Sequence, residues 1–413
     1  MLKRKNYWLL FAVLLLALTS LSPSMELDTT EGNNPPRQPQ RLSQQPDSGD
    51  KNNVSSLNIR VSMSSGELKA LQRISSNYTL STGIQVLISN VDNEENAVML
   101  KQELATMESP DIIMTDGRNI ADLATRGYLL PVDVYQSVPG SAPLTVLIPQ
   151  MQWNGYDWGI PLDIDPYVLV YSPQRLTELG FAEPPASLEE WSGLLNQLRA
   201  EQEQNPDAEQ YLLAMDSRNA YGFSALLASM GLSMEADYTA ALDWVQIARS
   251  YFYLSSRFNT ELWDMLQSGR LALAVLPLSE WQMNGNAALA VKAPAGVPGT
   301  AYEAVHSRFF ALPAGSANPE TAVNWLAYIT SATAQLEWLE NTNRLPALEE
   351  LYKSAQPELA DLPFDTDRLL AEEDITVQPS DGSWDAVSSA VTLLLTGKLD
   401  AAGYKEATGI GSE

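Results

Sequence analysis

The segment from residue 57 to residue 127 alternates short apolar strands with amphipathic helices, and no other feature constrains the fold as strongly. Residues 57–61 alternate apolar and polar side chains, as a half-buried strand does. A run with apolar residues at helical spacing follows and stops at Gly83. Further short strands are predicted at 84–88 and 111–114. This alternation predicts an α/β fold with a largely parallel sheet.

Polar residues follow two of the predicted strands. Ser65 comes after the first strand and Asp116 after the third. In open α/β sheets, ligands bind at the carboxyl ends of the strands. Both residues are therefore candidate ligand-binding residues, although Ser and Asp are equally typical of ordinary turns and helix caps.

Composition excludes several classes of function. The chain has 413 residues, a formal net charge of -26, no Cys and one His. The absence of Cys removes disulfides and thiolate metal sites, and the acidity disfavours nucleic acid as a partner. A single His argues against a metal centre or a catalytic triad, so we expect His306 to be a packed or surface residue. The sequence predicts no metal and no cofactor.

The first 56 residues are predicted to lie outside the folded part. Residues 1–24 combine Lys3, Arg4 and Lys5 with an apolar run of about the length of a signal-peptide core. They are predicted to be a signal peptide or an uncleaved membrane anchor. Residues 25–56 are polar and rich in Pro, Gln, Asn and Ser, which predicts a disordered linker.

A carboxylate pair in the middle of the chain raises the question of catalysis. Asp163 and Asp165 stand between Pro161 and Pro166. Two positions apart on one strand, their Cα atoms would be about 6.5–7 Å apart on the same face, a spacing that a glycosidase could use. No further catalytic constellation accompanies the pair, so the sequence predicts a binding protein and not an enzyme.

Several segments occur in an order typical of one protein family. They read SPDIIMTDGRNIADLATRGYLLPVD, YDWGIPLDIDPYVLVYSPQRLTELGF, SGRLALAVLPLSEW and SWDAVSSAVTLLLTGKLDAA. The chain resembles the extracellular solute-binding proteins of bacterial ABC importers, in the family of maltose- and oligosaccharide-binding proteins. The resemblance covers roughly residues 57–404, and it depends on the order and spacing of the segments together.

The resemblance implies a two-lobed, class II periplasmic-binding-protein-like α/β fold with the ligand in a cleft between the lobes. Each lobe is discontinuous in such proteins. Mapped onto this chain, the first lobe holds residues 57–164 and 307–345. The second lobe holds residues 165–306 and 346–413.

The resemblance also implies ligand-binding positions. Asp165 lies where relatives place a carboxylate before the chain crosses between lobes, and Tyr221 lies where they supply an aromatic platform. Trp281 and Trp384 match positions that stack on sugar rings. Arg344 stands where relatives have a Gly-Gly pair, and it could face the cleft. We expect five other tryptophans to be packing residues, namely Trp153, Trp158, Trp191, Trp244 and Trp263.

The predicted function is capture of a sugar or oligosaccharide outside the cytoplasm and its delivery to ABC permease subunits by hinge closure. The expected protein is a monomer, exported to the cell surface, the periplasm or the medium. Two alternatives remain open at this stage. One is a sensory surface protein that presents its ligand to a receptor kinase, and the other is an importer component for a non-sugar solute such as a polyamine, a metal chelate or an anion.

Overall fold

The structure is a computed structural model. It describes residues 56–91, 100, 102–135, 142–232, 238–255, 258–294, 305–354, 356–370 and 384–409. These residues all belong to the unit that begins at Val54. The predicted signal segment 1–24, and the predicted linker 25–56 up to residue 55, lie outside the described residues.

The strands are short apart from two long ones near the middle of the sheet. Their bounds are β1 Ser56–Val61, β2 Gln85–Asn90, β3 Ile112–Asp116, β4 Leu129–Leu130, β5 Gln152–Trp153, β6 Tyr156–Asp157, β7 Ile160–Tyr171, β8 Tyr211–Met215, β9 Phe252–Leu254, β10 Leu271–Pro277, β11 Ala290–Lys292, β12 Val305–Pro313 and β13 Leu345–Pro346.

The α-helices pack around this sheet. Their bounds are α1 Ser65–Thr82, α2 Ile120–Thr125, α3 Ile148–Met151, α4 Pro173–Glu178, α5 Leu188–Gln204, α6 Tyr221–Ser229, α7 Thr239–Ala248, α8 Thr260–Gln267, α9 Leu278–Asn284, α10 Pro319–Ile329, α11 Ala332–Thr342, α12 Glu349–Lys353, α13 Asp367–Leu370, α14 Trp384–Leu395 and α15 Ala401–Thr408.

The first helix shows why the local sequence predicts its own boundaries. Ser64 and Glu67 form a capping box, in which each side chain accepts a hydrogen bond from the other residue's backbone N–H. Gly83 ends the helix in the left-handed conformation, with φ of 76°. The helix predicted between residue 64 and Gly83 is confirmed.

The sheet is mixed, whereas the sequence predicted a largely parallel one. Its main order is β2-β1-β3-β12-β7-β10-β8-β9. The parallel pairs are β1 with β2 and β3, and β8 with β9 and β10. The two long strands break this pattern, because β12 runs antiparallel to both β3 and β7, and β10 runs antiparallel to β7. Sequence patterns do not specify the direction of strands that pair over such separations.

Strand β7 belongs to both halves of the sheet. Its first half pairs with β12, where Asp165 lies opposite His306, and with β13, where Ile164 lies opposite Leu345. Its second half pairs with β10 and β11. The strand continues through Pro161 and Pro166, the two prolines on either side of Asp163 and Asp165.

Different hydrophobic clusters pack on the first and the second half of β7, and a further cluster that includes Ile164 and Val168 spans both halves. The cluster on the first half gathers Leu57, Trp325 and Trp338 around β1 to β3, and that on the second half gathers Trp191 and Tyr404 around β8 to β10. We refer to the parts built around these two clusters as the first and the second lobe, and the predicted fold class is confirmed. The exact boundaries, 57–164 with 307–345 and 165–306 with 346–413, stay predictions.

Candidate functional site

Asp116 ends β3 and begins the turn that presents polar groups of the first lobe. Its carboxylate accepts a 2.9 Å hydrogen bond from the Arg118 backbone N–H. Gly117 is needed between them, because a Cβ there would lie 2.1 Å from Gln150 Oε1 and 2.5 Å from the Phe309 ring. The turn therefore packs tightly on the sheet and fixes Asp116 at the carboxyl end of the strand, as the sequence predicted.

Tyr221 brings the second lobe into contact with Asp116. The residue opens α6 and is buried, and its hydroxyl donates a 2.8 Å hydrogen bond to Asp116 Oδ1. Its ring centroid lies 4.9 Å from that of Trp384, 5.0 Å from that of His306 and 6.0 Å from that of Tyr167. We call these four rings the aromatic corner. Asp116, Tyr221 and Trp384, which are far apart in sequence, meet here.

The aromatic corner and the neighbouring Asp116 together offer the two kinds of group that bind carbohydrate. Aromatic faces pack against the C–H face of a sugar ring, and carboxylates accept hydrogen bonds from its hydroxyls. The guanidinium of Arg118 lies 4.5 Å above the ring of Trp384, which is a cation–π arrangement. The corner thus presents apolar ring surface beside the Asp116 carboxylate.

Protonation states in the aromatic corner follow from burial. Burial raises the pKa of Asp116 to about 6, although hydrogen bonds from Arg118 and Tyr221 oppose the shift. Burial lowers the pKa of His306 to about 3, and the nearby Arg344 and Arg308 guanidiniums add to the effect. At neutral pH, Asp116 is therefore an anion and His306 is a neutral imidazole.

A buried charge cluster lies next to the aromatic corner. It consists of Glu67, Asp163, Asp165, Arg308 and Arg344, and each side chain is at most 15% exposed. Arg308 donates through Nε to Asp163 Oδ1 at 3.1 Å and through Nη2 to Asp163 Oδ2, and its Nη1 lies 2.9 Å from Glu67 Oε1. This two-pronged geometry suits a guanidinium and a carboxylate.

Arg344 closes the buried charge cluster on its other side. Its Nε donates to Glu67 Oε1 at 2.6 Å, and its Nη1 lies 3.2 Å from Asp165 Oδ2. Asp163 receives one more hydrogen bond, of 2.9 Å, from the indole N–H of Trp338. The cluster therefore ties β7, β12 and the segment before β13 to the start of α1, where the sequence predicted only separate polar residues.

The pKa values in the cluster show which charges are compensated. Burial acts to raise the pKa of Glu67, but Arg308 and Arg344 outweigh it and hold the value well below the usual range. Burial is the largest effect on Asp165 and raises its pKa despite Arg344 and Ser279. Burial also raises the pKa of Glu280, and the negative charge of Asp165 adds to that shift.

Asp165 lies inside this cluster, and both of its carboxylate oxygens contact protein groups. It accepts hydrogen bonds from the Ser279 backbone N–H at 3.0 Å and from the Ser279 hydroxyl at 2.6 Å. Ser279 is the second residue of the second-lobe helix α9, so Asp165 connects the shared strand β7 to that helix. The predicted ligand-binding role of Asp165 stays a prediction.

Ser65 and Trp281 complete the set of predicted site residues. Ser65 is the exposed first residue of α1, two positions before Glu67 of the buried charge cluster. Trp281 is half-buried on α9, two positions after the Ser279 that binds Asp165. The ligand-binding roles of Ser65 and Trp281 stay predictions.

Sequence reasoning missed three residues that shape this region. Glu67 was recognised only as a helix-capping residue, and Arg308 was not singled out. His306 was expected to be a packed or surface residue, and it does pack against Tyr221, but no sequence signal indicated that it joins the aromatic corner. One sequence signal relates two of these residues. His306 stands two positions before Arg308, so on a strand both side chains lie on the same face.

Neither a metal centre nor a membrane span is found in the part of the chain that the structure describes. No group of three acidic or His side chains there is arranged to hold a metal ion. No described helix is both long and apolar enough to cross a bilayer.

Comparisons with solved structures identify the fold. The chain aligns with the GacH receptor of Streptomyces glaucescens at 19% identity and a TM-score of 0.64, covering 86% of this chain and 96% of that one. The galacto-N-biose-/lacto-N-biose I-binding protein of Bifidobacterium longum aligns at 17% identity and 0.64, covering 87% and 96%. An ABC transporter solute-binding protein of Agrobacterium vitis aligns at 15% identity and 0.64, covering 86% and 97%.

Sequence comparison identifies the family. No curated protein matches this sequence. The profile described as "Bacterial extracellular solute-binding protein" matches residues 74–363, which is most of the folded part and more than half of the chain. The chain therefore belongs to the bacterial extracellular solute-binding protein family.

Proposed function

We propose that the protein binds a sugar or oligosaccharide between its lobes, outside the cytoplasm, and delivers it to the permease of an ABC importer. The observation that carries this proposal is the meeting of Asp116, Tyr221 and Trp384 from distant parts of the sequence. A carboxylate, a phenol and an indole grouped in this way can form hydrogen bonds with a sugar's hydroxyls and pack against its C–H surface.

The ligands of structural neighbours support the choice of carbohydrate. The GacH receptor was solved with acarbose, the Bifidobacterium protein with lacto-N-biose and the Agrobacterium protein with D-mannitol. These compounds differ in size and linkage but share dense hydroxyl groups. A hydroxyl-rich ligand is therefore the class that this site is proposed to accept, without a commitment to one sugar.

Hinge closure is the proposed mechanism. The lobes share the continuous strand β7, and Asp165 on that strand binds Ser279 of the second lobe. A ligand that contacts Asp116 on one side and Trp384 on the other binds the closed arrangement more tightly than an open one. Binding therefore shifts the population toward the closed form, which is the form proposed to dock on the permease. In this mechanism the protein is a monomer that binds its ligand without converting it.

A thermal-shift panel tests the ligand class. Acarbose, lacto-N-biose, maltose and D-mannitol are compared with spermidine, citrate and phosphate, each added at the same concentration. A ligand that binds only the folded state raises the unfolding temperature by mass action. We expect a shift with at least one of the carbohydrates, and shifts confined to the non-sugars would contradict the proposal.

Tryptophan substitutions locate the site. We expect Trp281→Ala and Trp384→Ala each to weaken binding of the responding sugar by at least tenfold, which corresponds to about 1.4 kcal/mol. Trp153→Ala is the matched control, because Trp153 lies on the β5–β6 hairpin and is 37% exposed. Unchanged affinity in both site variants would reject the assignment of the site.

A further inference from the structure

His306 is the one histidine in the chain, and it lies in the aromatic corner and outside the hydrophobic clusters. It is the second residue of β12, directly opposite Asp165 of the shared strand. Its side chain is 24% exposed. The imidazole packs against Tyr221, with ring centroids 5.0 Å apart and an interplanar angle of 47°.

The distance between His306 and Asp116 is informative. His306 Nε2 lies 3.7 Å from Asp116 Oδ2, which is too long for a direct hydrogen bond. An oxygen atom placed beside the pair can lie about 2.8 Å from each, within the ordinary hydrogen-bond range. Asp116 Oδ1 is already engaged by the Tyr221 hydroxyl, so Oδ2 is the oxygen that faces this gap.

The protonation states of the two groups match the needs of one hydroxyl group. The neutral imidazole of His306 offers one N–H donor and one acceptor, and the ionised Asp116 only accepts. A hydroxyl placed between them can donate its proton to Asp116 and accept a hydrogen bond from Nε2–H. A carboxylate ligand could not do so, because Asp116 would repel it and would offer it no proton.

We propose that His306 contacts the ligand, and that His306 Nε2 and Asp116 Oδ2 hold one free sugar hydroxyl between them. This inference rests on the proposed sugar-binding function and adds a specificity determinant to it. The selected feature is an unsubstituted hydroxyl that both donates and accepts. A ligand in which that hydroxyl is removed or methylated loses both hydrogen bonds and leaves the Asp116 oxygen without a partner.

Because His306 is the only histidine, ¹⁵N-labelled histidine in a tag-free protein gives a single imidazole to observe by NMR. Acarbose, lacto-N-biose, maltose and D-mannitol are the probes, and calorimetry on the same samples reports whether each one binds. We expect the bound protein to show a neutral Nε2–H imidazole whose nitrogen signals move on saturation. A sugar that binds while both nitrogen signals stay in place overturns the inference and leaves the proposed function intact. Failure of all four probes to bind, together with saturable binding of spermidine, citrate or phosphate, overturns both.

Two substitutions separate hydrogen bonding from packing. His306→Gln keeps a neutral donor and acceptor, whereas His306→Phe keeps a ring against Tyr221 but forms no hydrogen bond. We expect His306→Phe to weaken binding of the responding sugar at least tenfold and His306→Gln to stay within about threefold of the original protein. Unfolding temperatures measured without sugar confirm that both variants fold. Equal losses in the two variants, or full affinity in His306→Phe, would overturn the proposed contact.

Discussion

Replacing Arg308 with Met tests whether the buried charge cluster stabilises the region where the strands cross between the lobes. The guanidinium is 7% exposed and bonds to Asp163, which is fully buried, and to Glu67. Met fills a similar volume without a charge. Removing one partner of a buried ion pair costs about 3–5 kcal/mol, because the remaining charge stays buried without compensation. Asp163 keeps its bond from Trp338 and lies 3.8 Å from Arg344 Nη1, and Glu67 keeps its bond from Arg344. We therefore expect a loss at the lower end of this range, about 3 kcal/mol.

Urea unfolding followed by tryptophan fluorescence measures this loss as a change in the free energy of unfolding. The control is Arg126→Met, because Arg126 forms an exposed pair with Asp122 one helical turn away. Exposed pairs of this kind contribute little, so this variant should unfold close to the original midpoint. The double variant Arg308→Met with Asp163→Asn should be more stable than Arg308→Met alone, since the uncompensated charge is gone.

The outcome that refutes this reasoning is specific. If Arg308→Met unfolds within about 1 kcal/mol of the original protein, and Asp163→Asn brings no recovery, then the cluster does not stabilise the fold through charge compensation. The ion pairs among these five side chains would then not contribute measurably to the free energy of unfolding.

Three further variants test the aromatic corner. Gly117→Ala should cost about 1–3 kcal/mol in urea unfolding, because its Cβ would lie 2.5 Å from the buried Phe309 ring as well as 2.1 Å from Gln150 Oε1. Gly66→Ala should cost little, because the nearest atom to its Cβ, Ser64 Oγ, is 3.9 Å away. The folded-state pKa of Asp116, about 6, lies above its unfolded value, so its stabilising contribution is present below pH 4 and is lost as pH rises through 6. The original protein should therefore lose up to about 3 kcal/mol relative to Asp116→Asn across that interval, and a constant difference between pH 4 and 7 would contradict the shift. Tyr221→Phe removes the hydroxyl that donates to Asp116 and should weaken sugar binding about tenfold in calorimetry. The lost hydrogen bond to the carboxylate should also cost about 1.5–3 kcal/mol in urea unfolding.

Local sequence signals predict much of the fold because they act over short separations. The capping pair Ser64 and Glu67 and the left-handed Gly83 fix both ends of α1, and each can be read from neighbouring residues. A strand such as β8, Tyr211–Met215, is harder to predict, because five consecutive apolar residues fit a buried strand and a buried helix equally well. For β7 the sequence places Asp163 and Asp165 on one strand, but the continuation of that strand through both prolines depends on its neighbouring strands.

The positions of the candidate site residues were also predictable only in part. Asp116, at the end of a strand, could be predicted from local pattern, and Tyr221 and Trp384 from a family resemblance. The buried charge cluster could not, because Glu67 and Arg344 are 277 positions apart in sequence and meet only through the crossing of three segments. The position of His306 likewise depends on the register of β12 against β7, which no local pattern specifies.

Calorimetric titration of the original protein and of Trp384→Ala with acarbose, lacto-N-biose, maltose and D-mannitol tests the central claim most directly. The claim is that a hydroxyl-rich ligand binds at the aromatic corner between the lobes. We predict saturable one-to-one binding of at least one of these compounds to the original protein, and affinity at least tenfold weaker in Trp384→Ala. Absence of heat with all four, together with saturable binding of spermidine, citrate or phosphate, would contradict the account.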